Sequence, residues 1–325
     1  MIVAGQNAVG RFAPSPTGRM HLGNLLCALL SYLDVKSLGG KWILRIEDID
    51  RSRSRDEYAV QIEKDLRTFG LNWDEGGIED PLFVQSRRSE FYDREFRKIE
   101  DSTYPCFCTR ADLMAASAPH ESDGRMVYGG KCRPRRFGGQ GEAGLADRPA
   151  ATRIFVPDME VECDDAVYGR QSFNLARDFG DFVIRRADGG WSYQFAVVVD
   201  DALMGVNRVV RGRDLLSSVA PQSFLFGRIG CPVPQYAHIP LVCAPDGRRL
   251  GKRDADFDLG AVLSRMTPEQ VIGRLAFLCG LVDRPEPLKA DDLIPGFDWG
   301  KIDGTKDIII AVGCNYRQEP FQNRF

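Results

Sequence analysis

The stretch VGRFAPSPTGRMHLGNLL, residues 9–26, contains the junction that decides the fold. It begins with a short apolar run that two prolines and a glycine interrupt, which predicts a strand ending in a loop. From Leu22 onward, leucines recur at helical spacing until Gly39 and Gly40, which predicts a helix over 22–38. The stretch therefore predicts a strand, a loop and a helix in direct succession.

The same alternation continues after this stretch. Further elements are predicted as a strand at 42–46, a helix at 56–69, extensions of the pattern at 81–84 and 87–99, a strand at 182–186, a helix at 193–203, a strand at 206–211, and helices at 214–226, 259–265 and 267–279. Pro221 lies inside one predicted helix and is expected to kink it. Strands and helices at this spacing predict parallel βαβ units, and hence an α/β fold with a doubly wound parallel sheet.

Composition narrows the class of protein. The 325 residues are 43% hydrophobic and 27% charged, as in ordinary globular proteins. No apolar run reaches the about 20 residues that a membrane helix needs, and the first ten residues do not resemble a signal peptide, so we expect a cytoplasmic protein without a membrane partner. Nine cysteines, an odd number spread along the chain, are not typical of a disulfide framework. The net charge of −3 means that any RNA must be bound by local basic patches.

The beginning of the first predicted helix has the features of a phosphate site. The N-terminus of a helix offers unpaired N–H groups and the positive end of a dipole. Gly23 lets a nucleotide approach the backbone, and His21 and Asn24 add side-chain donors on one face. A turn in which His21 only caps or packs against the helix is the alternative interpretation.

Four blocks of sequence resemble the glutamate-specific class I aminoacyl-tRNA synthetases, in the order that this family has them. They are residues 11–24, 46–50 (IEDID), 193–201 (YQFAVVVDD) and 210–215 (VRGRDL). The resemblance implies a Rossmann-type catalytic domain that activates L-glutamate with ATP and Mg²⁺, giving glutamyl-adenylate and pyrophosphate. Because a carboxylate is already a nucleophile, this reaction requires positioning and charge neutralisation but no general base.

The resemblance also implies the residues of the site. The glutamate-binding set is Arg11, Ala13, Ser15, Glu47, Tyr193 and Arg211. The ATP-binding set is Pro14, His21, Gly23, Asn24 and Lys252, with His21, Asn24 and Lys252 as its catalytic members. Arginine suits a carboxylate because its planar fork donates two parallel hydrogen bonds, and Glu47 would accept from the substrate ammonium. An ordinary ion pair between Arg11 and Glu47 is the alternative.

The loop that carries Lys252 departs from the pattern of the resembled family. It reads RLGKR (249–253), with arginine at the position of the family's first lysine and glycine at that of its first serine. Lys252 keeps the second lysine position, so we expect it to stabilise the ATP phosphates. A solvated basic turn is the alternative.

Three closely spaced cysteines predict a structural zinc site. Cys106, Cys108 and Cys132 lie within about 30 residues of one another, a spacing typical of zinc knuckles in cytosolic proteins. The resembled family uses a tyrosine as the fourth ligand, which Tyr128 matches. His120 is the rival because imidazole is a much commoner ligand, and three free buried cysteines are the remaining alternative.

The resemblance divides the chain into four parts. Residues 1–103 and 151–257 are the halves of the catalytic domain, 104–150 is the zinc-binding insertion, and 258–325 is a small helical, stem-contact-like C-terminal region with a tail. Because the chain ends soon after those helices, it resembles truncated members of the family, which attach glutamate to queuosine at the wobble position of tRNA(Asp). We therefore expect a monomer that binds ATP, L-glutamate and the anticodon stem-loop of tRNA(Asp). An enzyme that glutamylates tRNA(Glu) without an anticodon-binding domain, and an inactive synthetase-like RNA-binding module, are the alternatives.

Overall fold

Strands and helices alternate along most of the computed structural model, which describes residues 7–109, 127–140, 149–250 and 257–310. The strands are β1 (Val9–Phe12), β2 (Lys41–Leu44), β3 (Glu75–Gly76), β4 (Thr103–Cys106), β5 (Ala151–Ile154), β6 (Glu160–Asp165), β7 (Gly169–Asn174), β8 (Phe182–Arg185), β9 (Arg208–Gly212), β10 (Gln235–Ile239), β11 (Val242–Cys243) and β12 (Ile308–Ile309). The helices are α1 (Leu22–Lys36), α2 (Asp56–Thr68), α3 (Ser89–Phe96), α4 (Leu175–Asp178), α5 (Tyr193–Leu203), α6 (Val219–Ile229), α7 (Leu259–Leu263) and α8 (Pro268–Leu278).

The central sheet confirms an α/β fold with a mostly parallel sheet. Its seven strands have the order β3-β2-β1-β9-β10-β6-β7. Neighbouring strands from β3 to β6 run parallel, whereas β7 is antiparallel to β6. The fully parallel sheet of the prediction was therefore wrong at this edge. The reason is the short connection between Asp165 and Gly169, because a parallel crossover needs about a dozen residues or more.

A smaller antiparallel sheet has the order β4-β5-β8. The strand predicted at 182–186 exists as β8, but β8 pairs with β5 and does not belong to the central sheet. β5, which follows the 104–150 segment, pairs with β8 and also with β4, whose last three residues lie at the start of that segment. A local alternation of strand and helix does not specify which sheet a strand joins. The sequence pattern therefore did not predict that β8 belongs to a separate sheet.

The predicted helices form, and one of them begins later in the chain than predicted. α1 is nearly all buried, and Leu25, Leu26 and Leu29 at its centre are fully buried against the sheet. The helix predicted at 214–226 begins later, because 213–218 form a 3-10 turn. Pro221 then lies in the first turn of α6, where its missing N–H breaks no helical hydrogen bond, so the reason for the predicted kink is gone.

The main hydrophobic core connects the central sheet with the C-terminal helices. Buried residues of α1 and β2 share this core with Val271, Ile272 and Leu275 of α8. β12 pairs with β11 in a separate two-stranded sheet, an element that the sequence pattern did not predict. Among the described residues, no helix combines the length and the hydrophobicity needed to cross a membrane.

Candidate active site

A cavity of about 730 Å³ opens at the carboxyl ends of β1 and β9. β1 lies between β2, which follows it in the chain, and β9, which comes much later. Such a change in strand order leaves a crevice outside the carboxyl ends of a parallel sheet, where open α/β folds bind their ligands. Its volume is in the range of small-molecule sites, which is about 300–1,000 Å³.

The cavity brings together every predicted substrate residue that the structure describes. Its walls include Arg11, Ala13, Pro14, Ser15, His21, Gly23, Asn24, Glu47, Tyr193 and Arg211. Lys252 lies outside the described residues, but Arg249 and Leu250, just before it, line the cavity. Residues from four separate blocks of sequence therefore meet in one place.

The N-terminus of α1 has a reciprocal cap at the cavity wall. The Nδ1 atom of His21 accepts a hydrogen bond from the Gly23 amide at 3.1 Å, and Asn24 Oδ1 accepts from the His21 amide at 3.1 Å. His21 thus caps α1, and a capping role is compatible with ligand binding. Because Nδ1 accepts, the neutral His21 ring carries its proton on Nε2. A Cβ at position 23 would lie 3.0 Å from the His21 ring, so glycine also protects the geometry of the cap.

Buried ion pairs lie at the base of the cavity. The sequence analysis did not identify these pairs. Arg45 is fully buried and donates to Glu47 at 2.9 Å and to Asp201 at 2.6 Å. Arg11 contacts Asp201 at 3.3 Å and donates to the Val210 carbonyl. The alternative in which Arg11 pairs with Glu47 was therefore wrong, because each has a different partner.

Two carboxyl groups of this network have shifted pKa values in opposite directions. Burial raises the pKa of Glu47 above its usual range, against the attraction of the guanidinium groups of Arg45 and Arg11. Burial also acts to raise the pKa of Asp201, but Arg45 and Arg11 outweigh it and lower that pKa. Asp201 is thus ionised at neutral pH and balances two arginines, whereas a cationic ligand group beside Glu47 would stabilise the ionised form of Glu47.

Arg211 is held in a different way, by neutral partners. Its Nε donates to Nε2 of His238 at 3.0 Å, and its Nη1 donates to Oε1 of Gln222 at 2.7 Å. Its Nη2 is buried without a hydrogen-bond partner, and no carboxylate of the described residues forms an ion pair with it. No motif in the sequence identified His238 or Gln222, since both lie outside the four blocks that carry the resemblance.

The cysteine cluster lies apart from this cavity, next to β4. Cys106, Cys108 and Cys132 place their sulfur atoms within 4.8 Å of one another, and the Cys108–Cys132 separation is 3.6 Å. Two sulfurs bound tetrahedrally to one zinc ion would be about 3.8 Å apart. The hydroxyl of Tyr128 accepts from the Cys132 amide at 2.6 Å and interacts with the Cys106 thiol. The cluster can therefore hold a metal ion; His120 lies outside the described residues.

Comparisons with known proteins agree with this geometry. The family model "tRNA synthetases class I (E and Q), catalytic domain" matches residues 7–279. The glutamate tRNA ligase of Elizabethkingia meningosepticum, solved in complex with its amino acid, superposes with a TM-score of 0.77 and 30% identity, covering 94% of this chain and 67% of that one. The fold is thus that of a class I tRNA synthetase catalytic domain.

Relatives define the family more narrowly. The glutamyl-Q tRNA(Asp) synthetase of Symbiobacterium thermophilum is 48% identical over 304 residues, which cover 90% of this chain and 93% of the relative. The enzyme of the same name from Neisseria meningitidis is 41% identical over 292 residues, covering 89% and 93%. The chain belongs to the glutamyl-Q tRNA(Asp) synthetase family of class I tRNA synthetases.

Proposed function

We propose that this protein activates L-glutamate with ATP and transfers the glutamyl group to queuosine in tRNA(Asp). The observation that carries the proposal is Arg211, which lines the cavity and has a buried Nη2 atom without a hydrogen-bond partner. A buried guanidinium without an anionic partner in the protein is costly unless a ligand carboxylate completes it. The names of the relatives agree with such a substrate.

The remaining glutamate contacts follow from charge. Glutamate has two carboxylates and one ammonium, so its site needs cations and one anion. Arg11 and Arg211 supply the cations, and Glu47 would accept from the ammonium. Ala13, Ser15 and Tyr193 lie in the same wall, where the two hydroxyl groups would donate further hydrogen bonds.

ATP would lie with its phosphates at the N-terminus of α1. Gly23 opens the backbone to the phosphates, while His21 Nε2–H, Asn24 and Lys252 donate to them. The glutamate α-carboxylate oxygen attacks the α-phosphorus, an O–P bond forms, and the bond to pyrophosphate breaks. These residues position the two reactants in line and neutralise the charge that develops on the leaving group. A Mg²⁺ ion bound to ATP would add to this neutralisation.

The second step transfers glutamate to RNA. A hydroxyl of the cyclopentene-diol ring of queuosine attacks the carbonyl of glutamyl-adenylate, loses its proton, and AMP leaves. The acceptor would be the anticodon stem-loop of tRNA(Asp), entering the open mouth of the cavity. Glutamylation of tRNA(Glu) is the competing function, and an inactive RNA-binding module is the third possibility.

We also infer a structural Zn²⁺ ion on Cys106, Cys108 and Cys132, with the Tyr128 hydroxyl as its fourth ligand. The sulfur separation and the position of the hydroxyl support this set. Zinc content, measured by elemental analysis, should fall in Tyr128→Phe and stay near one ion per chain in His120→Ala. The reverse result would make His120 the ligand, and zinc-free wild-type protein would exclude the site.

Two assays test the main proposal. ATP–pyrophosphate exchange with glutamate, measured without tRNA, should be active, and its absence would favour the inactive module. Labelled glutamate should then enter queuosine-containing tRNA(Asp) but not queuosine-free tRNA(Asp). Labelling of tRNA(Glu) through a base-labile 3′ ester would instead support the competing enzyme.

A further inference from the structure

A buried polar chain connects β6, β10 and β9 behind the cavity. Asp165 ends β6, His238 lies in β10, and Arg211 lies near the end of β9, directly opposite His238 in the strand register. His238 is fully buried, and Asp165 and Arg211 are each 4% exposed. Asp165 is bonded to His238, and His238 is bonded to Arg211, so the chain leads from the sheet interior to the cavity wall.

The partners of Asp165 determine where the histidine proton lies. Asp165 Oδ1 accepts from the backbone amides of Val167 and Tyr168, both at 3.0 Å. Its Oδ2 is 3.0 Å from the His238 amide and 2.6 Å from the His238 Nδ1 atom. An ionised carboxylate only accepts, so Nδ1 carries the ring proton.

The other ring nitrogen must then be an acceptor. A guanidinium has only donors, so Nε2 of His238 can bond to Nε–H of Arg211 only through its lone pair. The backbone carbonyl of Leu215 also interacts with the ring. Because Nε2 accepts from Arg211, the ring is neutral with its proton on Nδ1, which is the opposite tautomer to that of His21. A protonated His238 would turn an N–H toward the N–H of Arg211 and break this contact.

We propose that His238, oriented by Asp165, is a positioning residue for glutamate recognition, an inference that rests on the proposed function. His238 accepts from Nε of Arg211 and Gln222 accepts from Nη1, so two bonds fix the guanidinium plane, and Nη2 is left for a ligand carboxylate. Neutral acceptors achieve this without cancelling the positive charge of Arg211. A carboxylate in place of His238 would hold the guanidinium equally well but would compete with the substrate for its charge.

Substitutions of His238 test the inference in ATP–pyrophosphate exchange. His238→Phe keeps a ring but removes the acceptor, so the KM for glutamate should rise about tenfold or more, since hydrogen bonds to charged groups are worth that much. The KM for ATP should stay within about twofold, because the proposed ATP site at the N-terminus of α1 does not include Arg211. His238→Gln can offer its amide oxygen to Arg211 and should recover most of the glutamate affinity. An unchanged KM for glutamate in His238→Phe, or an equal rise in both KM values, would overturn the inference.

Val209→Ala is the matched control for lost packing. Val209 is a buried residue of β9, two positions before Arg211 and therefore on the same face of the sheet. Its truncation should lower the melting temperature without changing the KM for glutamate. If Val209→Ala raised that KM as much as His238→Phe does, general loosening of the sheet would explain both results, and the positioning role would be refuted.

The tautomer provides a readout that is independent of activity. The chain has three histidines, so nitrogen NMR of ¹⁵N-histidine-labelled wild-type protein can assign each ring. The His238→Gln spectrum identifies the His238 signals, which should show a protonated Nδ1 and an unprotonated Nε2. A protonated Nε2 would overturn the inference even in an active enzyme. Wild-type protein that shows the expected tautomer but no glutamate-dependent exchange would instead refute the proposed function.

Discussion

Arg211→Ala should abolish most of the glutamate-dependent activity while the protein still folds. The substitution removes the one guanidinium of the cavity that has no anionic partner among the described residues. Truncating one member of a buried, hydrogen-bonded charge pair costs about 2–5 kcal/mol. Because about 1.4 kcal/mol corresponds to a tenfold change, kcat/KM for glutamate should fall between about 30-fold and about 4,000-fold. At 4% exposure Arg211 is weakly screened by solvent, so we expect a value in the upper half of that range.

Arg211→Ala should affect the stability of the fold less than it affects kcat/KM for glutamate. In the free protein, Arg211 makes two side-chain hydrogen bonds, to His238 and to Gln222, which have a charged donor and are worth about 1.5–3 kcal/mol each. The substitution also removes a buried cation that has no anionic partner among the described residues, and this offsets part of the loss. Unfolding in urea should therefore show a loss of about 2 kcal/mol. Arg208→Ala is the matched control, because Arg208 lies on the same strand and forms a two-pronged ion pair with Asp34, at 2.6 Å, but does not line the cavity.

ATP–pyrophosphate exchange at saturating ATP, with glutamate varied, measures the predicted loss. Glutamine, which has the same length but a neutral side chain, should be discriminated against less strongly by Arg211→Ala than by the wild-type protein. Arg208→Ala should lose stability but keep its kcat/KM. Near wild-type exchange in Arg211→Ala, or an equal loss in Arg208→Ala, would refute the assignment of Arg211 to a substrate carboxylate.

Three further predictions concern the surroundings of the cavity. Arg45→Met leaves Glu47 without its ion-pair partner and Asp201 with Arg11 alone, and it should cost about 3–5 kcal/mol in urea unfolding; a loss below about 1 kcal/mol would contradict this. Gly23→Ala places a methyl group against the capping histidine and should raise the KM for ATP, whereas Gly227→Ala, which has open space inside a helix, should be neutral or stabilising. Burial lowers the pKa of His238, so the folded state resists protonation, and the free energy of unfolding should fall as the pH drops below 6.5. In His238→Gln this fall in the free energy of unfolding below pH 6.5, measured by urea titration at several pH values, should disappear. An unchanged pH dependence in His238→Gln would contradict the assignment of the effect to His238.

Local sequence patterns predicted the helices and strands well but predicted poorly which strands pair with each other. The strand and helix of residues 9–36 follow from apolar spacing and from the breakers between them, and the structure has both. The antiparallel β7 and the separate sheet of β8 depend on connection length and on contacts between distant segments, which periodicity does not contain. The cavity residues were predictable because they lie at strand ends inside recognisable blocks.

The hydrogen-bond and ion-pair partners of the cavity residues were not predictable, because they too depend on contacts between distant segments. Arg45 and Asp201 are 156 positions apart in the chain, and the pair between Asp165 and His238 spans 73 positions. A buried charge requires a partner, but the sequence does not say which of its many carboxylates, amides or rings will supply it. Only the folded sheet, which places β6, β10 and β9 side by side, decides that His238 lies behind Arg211.

The distribution of charge in the cavity explains how one site can prefer a dicarboxylate. Arg45 is balanced by Glu47 and Asp201, and Arg11 shares Asp201 with it, so Arg11 adds less positive potential to the cavity than Arg211 does. Arg211 is held by neutral groups and keeps its full charge at the wall. A neutral side chain such as that of glutamine would leave this charge uncompensated in a poorly solvated place, which is costlier than a missing contact. Selectivity would therefore come from the uncompensated positive charge of Arg211, which an anionic side chain neutralises and a neutral one does not.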